Sequence, residues 1–282
     1  MSSPLEIGIS TCPNDTFAFH ALLERAIETP GLDFAIELHD VQELNDALAG
    51  GDYDVAKGSF FAAFQLAGEV GVLPSGAALG FGNGPLLLAP ESPRAASATR
   101  RVLGPGELTT AHLLFRLFHP DEPEVEHVVF SEVMPALERG EADLGICIHE
   151  GRFTYEASGL TKVEDLGERW HAETGVALPL GGIFARRALG AETLAAVQDA
   201  IARSIAYARA HPEEALRSMR AHAQEQGDDV LRAHVELYVN AQTERLDAAG
   251  AAAIARLEDE ARRAGLLAPE APRLEVLGEA VA

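Results

Sequence analysis

Two stretches of the chain carry the same short pattern. Ala47-Leu48-x-x-Gly51-Asp52-x-Asp54 and Ala136-Leu137-x-x-Gly140-Glu141-x-Asp143 keep a constant spacing of 89 residues. In each, a helical apolar face runs into a glycine that ends the helix, and an acidic step leads into an apolar strand. Either two unrelated βαβ units share this grammar, or the chain consists of two related α/β halves. The second reading predicts two lobes whose strand ends and helix N-termini meet across a cleft.

The surrounding sequence supports that order. Leu5–Ser10 alternates as a strand, then come a polar loop and a helix over 17–26, with Asn14, Asp15 or Thr16 as its N-cap. Residues 34–39 read as a second strand, 41–48 as a helix closed by Gly50-Gly51, and 52–59 as a third strand. The later half repeats this with a strand at 101–103, a Gly104-Pro105-Gly106 turn and a helix from Thr109-Thr110-Ala111 to Phe118. A strand at 126–130, a helix at 133–138 and a strand at 143–149 complete it. Two interrupted extended runs, 80–98 and 176–184, read as crossings between the halves. The expected division is therefore 1–95 with 183–282 as a first lobe, and 96–182 as an inserted second lobe. Helices predicted at 192–210, 212–223, 228–243 and 249–264 follow no further strand, so they are expected to pack back on the first lobe.

Candidate chemistry gathers at strand ends, where open α/β sheets bind ligands. The apolar run 144–148 is bounded by Gly140 and Gly151 and leads to His149, with Glu150, Arg152, Thr154 and Tyr155 beside it. Histidine can take or give a proton near neutral pH, which makes His149 the expected base if the chain is an enzyme. Lys57-Gly58-Ser59 ends another strand. Gly58 permits close backbone approach, Ser59 offers a hydrogen bond, and Lys57 follows an apolar run that favours burial or pairing. The helix N-termini at Asn14-Asp15-Thr16 and Thr109-Thr110-Ala111 present N–H groups that attract a carboxylate or phosphate, unless their side chains only cap the helices. Histidines inside predicted helices, His112, His211, His222 and His234, read as core or partly exposed residues.

Composition narrows the partners. The formal net charge is −22, from 44 acidic and 22 basic residues, which argues against nucleic acid and anionic membrane surfaces. No run approaches the ~20 apolar residues of a membrane span. The N-terminal Met-Ser-Ser-Pro-Leu-Glu lacks a basic and apolar leader, so no secretory signal and a cytoplasmic location are expected. Cys12 and Cys147, far apart, read as two free thiols, though a disulfide between them is not excluded by their predicted places. With no paired metal-ligand spacing, no Walker motif and no dinucleotide glycine pattern, neither a metal nor a nucleotide cofactor is expected.

Taken together, Ser10-Thr11-Cys12-Pro13-Asn14-Asp15-Thr16-Phe17, Lys57-Gly58-Ser59, Thr109-Thr110-Ala111 and Ile148-His149-Glu150-Gly151-Arg152-Phe153-Thr154-Tyr155 resemble the 1,4-dihydroxy-6-naphthoate synthases of the futalosine route to menaquinone. The similarity extends to Leu178-Pro179-Leu180-Gly181 and to the helix opening at Ala210-His211-Pro212. It implies an α/β, two-lobed periplasmic-binding-protein-like type II fold, with mixed sheets flanked by helices and a hinged central cleft. It further implies a cytoplasmic carbon–carbon lyase that needs no cofactor. The implied reaction converts cyclic dehypoxanthine futalosine to 1,4-dihydroxy-6-naphthoate with loss of a three-carbon fragment. His149 would accept the proton, and Lys57 to Ser59 with Thr109 to Ala111 would hold a small substrate carrying a carboxylate. Gly58 stands where the resemblance implies a larger apolar residue and Gly151 where serine is frequent; both changes are expected to loosen the pocket wall. A non-catalytic solute-binding protein and the sister enzyme that dehydrates chorismate remain open alternatives, and nothing here fixes the oligomeric state.

Overall fold

The computed structural model describes residues 3–91, 100–223 and 227–278. The first sheet contains β1 (Leu5–Ser10), β2 (Phe34–His39), β3 (Val55–Ser59), β4 (Val70–Val72), β5 (Ala78–Gly80) and β11 (Leu178–Arg186). Its order is β2-β1-β3-β11-β4, with β5 also on β11. The second sheet contains β6 (Leu86–Pro90), β7 (Val102–Gly104), β8 (Val125–His127), β9 (Leu144–Cys147) and β10 (Leu160–Asp165), in the order β10-β6-β9-β7-β8. Written from the other edge, the second order mirrors the first. Each sheet has three parallel strands followed by an antiparallel crossing strand, β11 in one and β6 in the other.

The repeated sequence pattern has a repeated physical cause. Helix α3 (Val41–Gly50) ends at Gly51 with φ 86°, and α6 (Phe130–Glu138) turns at Gly140 with φ 68°. Only glycine enters that left-handed region freely, so both helices can turn sharply into the next strand. Asp52 N–H donates to Ala47 C=O, and Glu141 N–H donates to Ala136 C=O. Beyond the turns, Asp54 Oδ2 accepts from Glu6 N–H at 3.0 Å, just as Asp143 Oδ2 accepts from Arg101 N–H at 2.7 Å. The shared aspartate therefore pins β3 to β1 and β9 to β7. The match in sequence is thus accompanied by a match in turn geometry, in the aspartate hydrogen bond and in strand order.

The chain changes sheet between Gly80 and Leu86 and returns between Asp165 and Leu178. The run expected as a crossing thus becomes β6, which pairs with β9 and β10 in the second sheet. The expected boundary at 95/96 lies outside the described residues, and 182/183 falls within β11. Helices α4 (Phe60–Gln65), α5 (Thr110–Phe118) and α8 (Leu166–Thr174) pack near the junction. One buried cluster joins both sheets, with Leu44, Phe60, Phe64 and Phe184 meeting Leu113, Phe115, Ile146 and Trp170. Burial of such side chains stabilises by roughly 1.5–3 kcal/mol each, so this cluster holds the sheets together at the junction, while each sheet also buries a cluster of its own.

The last helices pack on the first sheet, as their position suggests. Val197, Ile201 and Ile205 of α9 (Gly190–Ala210) bury against Ile7 and Ile9. Helices α10 (Pro212–His222) and α11 (Asp228–Tyr238) enclose Phe17 with Leu216, Met219 and Leu231. The predicted helix 228–243 divides because Asn240 and Thr243 form a reciprocal cap that starts α12 (Ala241–Glu244). Helix α13 (Ala248–Arg263) follows. The predicted helix 17–26 begins earlier and is split into α1 (Pro13–Ala18) and α2 (His20–Leu23). Pro13 presets the first helical φ, and Phe19 leaves the helical region while burying its ring completely. Among the described residues no helix is long and apolar enough to cross a membrane.

A close backbone crossing locks the β5–β6 connection onto α8. A Cβ added to Gly167 would lie 2.1 Å from the Asn83 carbonyl carbon, which leaves no space for alanine. Gly167→Ala is expected to cost about 1–3 kcal/mol through overpacking, read as a lower urea midpoint with an unchanged slope. An unchanged midpoint would show that the crossing is loose.

Candidate active site

The C-terminal ends of β1 and β3 and the turns after β7 and β9 open onto one cavity. Its walls include Asn14, Asp15, Lys57, Gly58, Ser59, Thr109, Thr110, Ala111 and His149, all the predicted site positions. Ser10, Arg152, His234 and Tyr238 also line it. The empty space between these walls, open mouth included, is about 720 Å³.

Strand β9 ends at Cys147, two residues before the histidine that the sequence placed on the strand. His149 instead adopts φ 57°, and the chain then enters the short helix α7 (Gly151–Thr154). Histidine tolerates this left-handed region better than most residues, and the turn aims the imidazole at the cavity. Its Nδ1 lies 3.1 Å from Cys12 Sγ, and the Phe130 ring meets it edge-on with centroids 4.8 Å apart. Burial, with a smaller push from the Lys57 ammonium, lowers the imidazole to about 3, so it is neutral near pH 7. Burial, reinforced by the Glu150 and Asp15 carboxylates, pushes the Cys12 thiol well above its ordinary value. Both Cys12 and Cys147 are free and buried.

Opposite His149, Asp15 organises a polar floor. Its carboxylate accepts from Lys57 Nζ at 2.5 Å, from the Ser10 hydroxyl at 2.5 Å and from Asn14 Nδ2 at 2.8 Å. Asp15 and Lys57 are 1% and 6% exposed, so each charge depends on the other. The N-cap of α1 is Cys12, and Asn14, Asp15 and Thr16 lie inside its first turn. This corrects the expected cap: Pro13 at the first helical position moves the helix start forward. The negative charge at that helix end belongs to the protein itself.

The second predicted helix end forms as expected. Thr109 Oγ1 accepts from His112 N–H at 3.2 Å and donates to Gly106 C=O at 2.7 Å, capping α5. Thr110 Oγ1 donates to Leu180 C=O at 2.8 Å, which binds α5 to the crossing strand β11. Ser59 is held by the fully buried Asn45, whose amide donates to Ser59 Oγ at 3.2 Å and accepts from Ser59 N–H at 2.8 Å. A Cβ at Gly58 would lie 3.2 Å from Asn45 Oδ1 and 3.3 Å from Leu48 Cδ2. At Gly151 it would lie 2.4 Å from Cys147 Sγ. Neither glycine leaves the wall loose, because neighbouring side chains already fill the space.

Sequence reasoning missed Asn45, His234, Tyr238 and the role of Arg152. Leu231, His234 and Tyr238 are the buried stripe of α11, and that spacing alone looks like ordinary core. Packing of α11 on α1 brings His234 Nε2 within 3.0 Å of Asn14 Oδ1. Arg152 donates to Gly84 C=O and to Asp165 Oδ2, each at 2.6 Å, and its charge neighbours Tyr238. It ties the β5–β6 connection, α8 and α11 together at one wall. Among the described residues, no group of three or more His, Cys, Asp or Glu side chains is placed to hold a metal.

Two mixed sheets of matching strand order with a cavity at their strand ends define a periplasmic-binding-protein-like α/β protein. A Candida albicans gene product described as having the generic periplasmic binding protein fold matches at TM-score 0.68 and 12% identity, covering 99% of both chains. A crystal structure of a protein from Archaeoglobus fulgidus matches at TM-score 0.87 and 29% identity, over 94% of this chain and 98% of that one. The sequence itself matches the family described as Menaquinone biosynthesis over residues 5–263. It is 45% identical over 265 residues to the 1,4-dihydroxy-6-naphthoate synthase of Thermus thermophilus, covering 94% of this chain and 96% of the relative. It is 41% identical over 269 residues to the enzyme of that name from Streptomyces coelicolor, covering 93% and 94%. The chain belongs to the menaquinone biosynthesis family. The resemblance read from its motifs is borne out along nearly its whole length.

Proposed function

We propose that the cavity forms 1,4-dihydroxy-6-naphthoate, the product in the relatives' name, from cyclic dehypoxanthine futalosine with release of a three-carbon fragment, as the motif resemblance implies. The observation that carries this reading is a neutral imidazole, His149, facing a wall built from Ser59 and the N-terminus of α5. A substrate carboxylate suits that wall, where Thr110 and Ala111 sit in the first turn and Ser59 adds a hydroxyl. Lys57, Asn14 and Asp15 form the floor against which the rest of the molecule lies.

In this reading His149 holds its own proton on Nδ1, directed at Cys12 Sγ, and accepts the substrate proton at Nε2. Cleaving a carbon–carbon bond beside a hydroxyl requires removal of the hydroxyl proton or a proton on the adjacent carbon. A positioned base contributes ~10²- to 10⁴-fold to such a step. Aromatisation of the product supplies the driving force, so the reading calls for no metal or redox cofactor. The two sheets act as lobes that close over the substrate and exclude water. A biosynthetic substrate of this kind implies a cytoplasmic protein.

The test is turnover of cyclic dehypoxanthine futalosine by purified, chelator-treated protein, followed by the absorbance of the naphthoate. Formation of product is expected. A folded protein that binds a naphthoate carboxylate but forms no product would overturn the lyase reading and favour solute binding.

A further inference from the structure

The proton positions along one buried chain of side chains are fixed from its charged end. The Asp15 carboxylate only accepts, so the Asn14 atom 2.8 Å from Asp15 Oδ1 is the amide nitrogen. That choice turns Asn14 Oδ1 toward His234 Nε2, 3.0 Å away. An amide oxygen also only accepts, so the His234 ring proton is on Nε2. A neutral imidazole held this way has a bare lone pair on Nδ1.

That lone pair is unmet. His234 is 1% exposed and lines the cavity, and its Nδ1 has no hydrogen-bond partner among the described residues. Burial, with smaller contributions from His149 and Lys57, pushes its pKa well below the ordinary value, so a proton does not fill the vacancy. A buried acceptor left without a donor is costly, and a ligand donor would relieve that cost. The bond to Asn14 occupies Nε2 and leaves Nδ1 as the ring's one unsatisfied polar atom.

We propose that His234 Nδ1 accepts a hydrogen bond from a hydroxyl of the bound molecule and thereby selects hydroxylated ligands over their deoxy counterparts. This deepens the reading of the cavity as a naphthoate-forming site and rests on it for the ligand class. The role is distinct from that of His149: the tethered ring of His234 accepts a hydrogen bond and takes no proton. A site that meets a hydroxyl in a buried pocket discriminates strongly against the analogue lacking it.

The probes are 1,4-dihydroxy-6-naphthoate and 2-naphthoate, which share the fused rings and carboxylate and differ in the hydroxyls. Wild type is expected to bind the dihydroxy compound at least ~10-fold more tightly. His234→Gln places an amide nitrogen where Nε2 meets Asn14 but offers no acceptor at the Nδ1 position. It is expected to lose most of that preference, read as the ratio of the two affinities within the variant. His234→Asn, with an amide oxygen near the Nδ1 position, is expected to regain part of it. Equal weakening of both ligands in His234→Gln, or an unchanged preference, would overturn the proposal. Two-bond ¹H–¹⁵N correlation on ¹⁵N-histidine wild type reads the same inference without a variant. A bare Nδ1 that shifts with the dihydroxy compound, and not with 2-naphthoate, is expected; a proton on Nδ1 in the free protein would overturn it. Failure of the lyase reading would show separately, as absent turnover in a wild type that still has the tautomer and the hydroxyl preference.

Discussion

Replacing His149 with alanine is expected to lower kcat by ~10²-fold or more while the protein stays folded. The proposed base is the only group that changes chemistry in this variant, and its backbone, at φ 57°, sits in a turn outside the sheets. His149→Asn provides the better-folded comparison, since asparagine is at ease in the left-handed region. Both variants should lose turnover alike. Loss of less than about threefold in each would discard His149 as base while leaving the enzyme assignment intact. The pH profile gives a second reading of the same residue. With the imidazole lowered to about 3, kcat/KM of the free enzyme should show no acid limb from His149 near 6.5. Stability follows the same shift with a defined sign. The folded value lies below the unfolded one, so this residue's share of stability is fully present above pH 6.5 and is lost progressively toward about pH 3. In that window the unfolded chain binds a proton that the folded chain refuses, a slope of ~1.4 kcal/mol per pH unit. His149→Asn should flatten the acid side of a urea-stability curve by up to that slope. An acid limb near 6.5 that disappears in His149→Asn would mean that the working imidazole is not buried.

The residues that carry this prediction were the most legible in the sequence, because they interrupt regular patterns. His149 follows an apolar run, Ser59 ends a strand, and Thr109 precedes an amphipathic helix, so each departs from its local periodicity. The bounds of β1 and β2 follow from their patterns, and Gly51 and Gly140 mark the repeat because their backbones need positive φ. Residues that obey periodicity were hidden. Asn45 sits on the buried face of α3 with Leu44 and Leu48, and His234 sits on that of α11, so each looks like core until a neighbouring element is placed against it. The strand exchange was hidden for a different reason. An apolar run such as Leu86–Pro90 is equally suited to either sheet, and only pairing with β9 and β10 decides between them. Short strands such as β4 and β5 are too brief to show a period at all.

The buried pair of Lys57 and Asp15 is where folding and chemistry meet. Lys57→Met is expected to destabilise the protein by about 3–5 kcal/mol, because it leaves the Asp15 carboxylate buried without its counter-charge. Ser10 and Asn14 still donate to that carboxylate, but neutral donors do not replace an ammonium 2.5 Å away. Removing both charges with Asp15→Asn and Lys57→Met together should recover a large part of the loss, since the uncompensated charge is then gone. A urea double-mutant cycle measures this directly. A cost below about 1 kcal/mol for Lys57→Met would show that solvent reaches the pair. The same substitution has a predictable effect on His149, because the Lys57 ammonium contributes to lowering its imidazole. Without that charge the imidazole should titrate at a higher pH than in wild type, moving any acid limb of kcat/KM upward. Burial, the larger cause, remains, so the shift should be partial rather than a return to 6.5. The lysine thus does two things with one charge: it stabilises the buried carboxylate that orients Asn14, and it helps to keep the proposed base unprotonated.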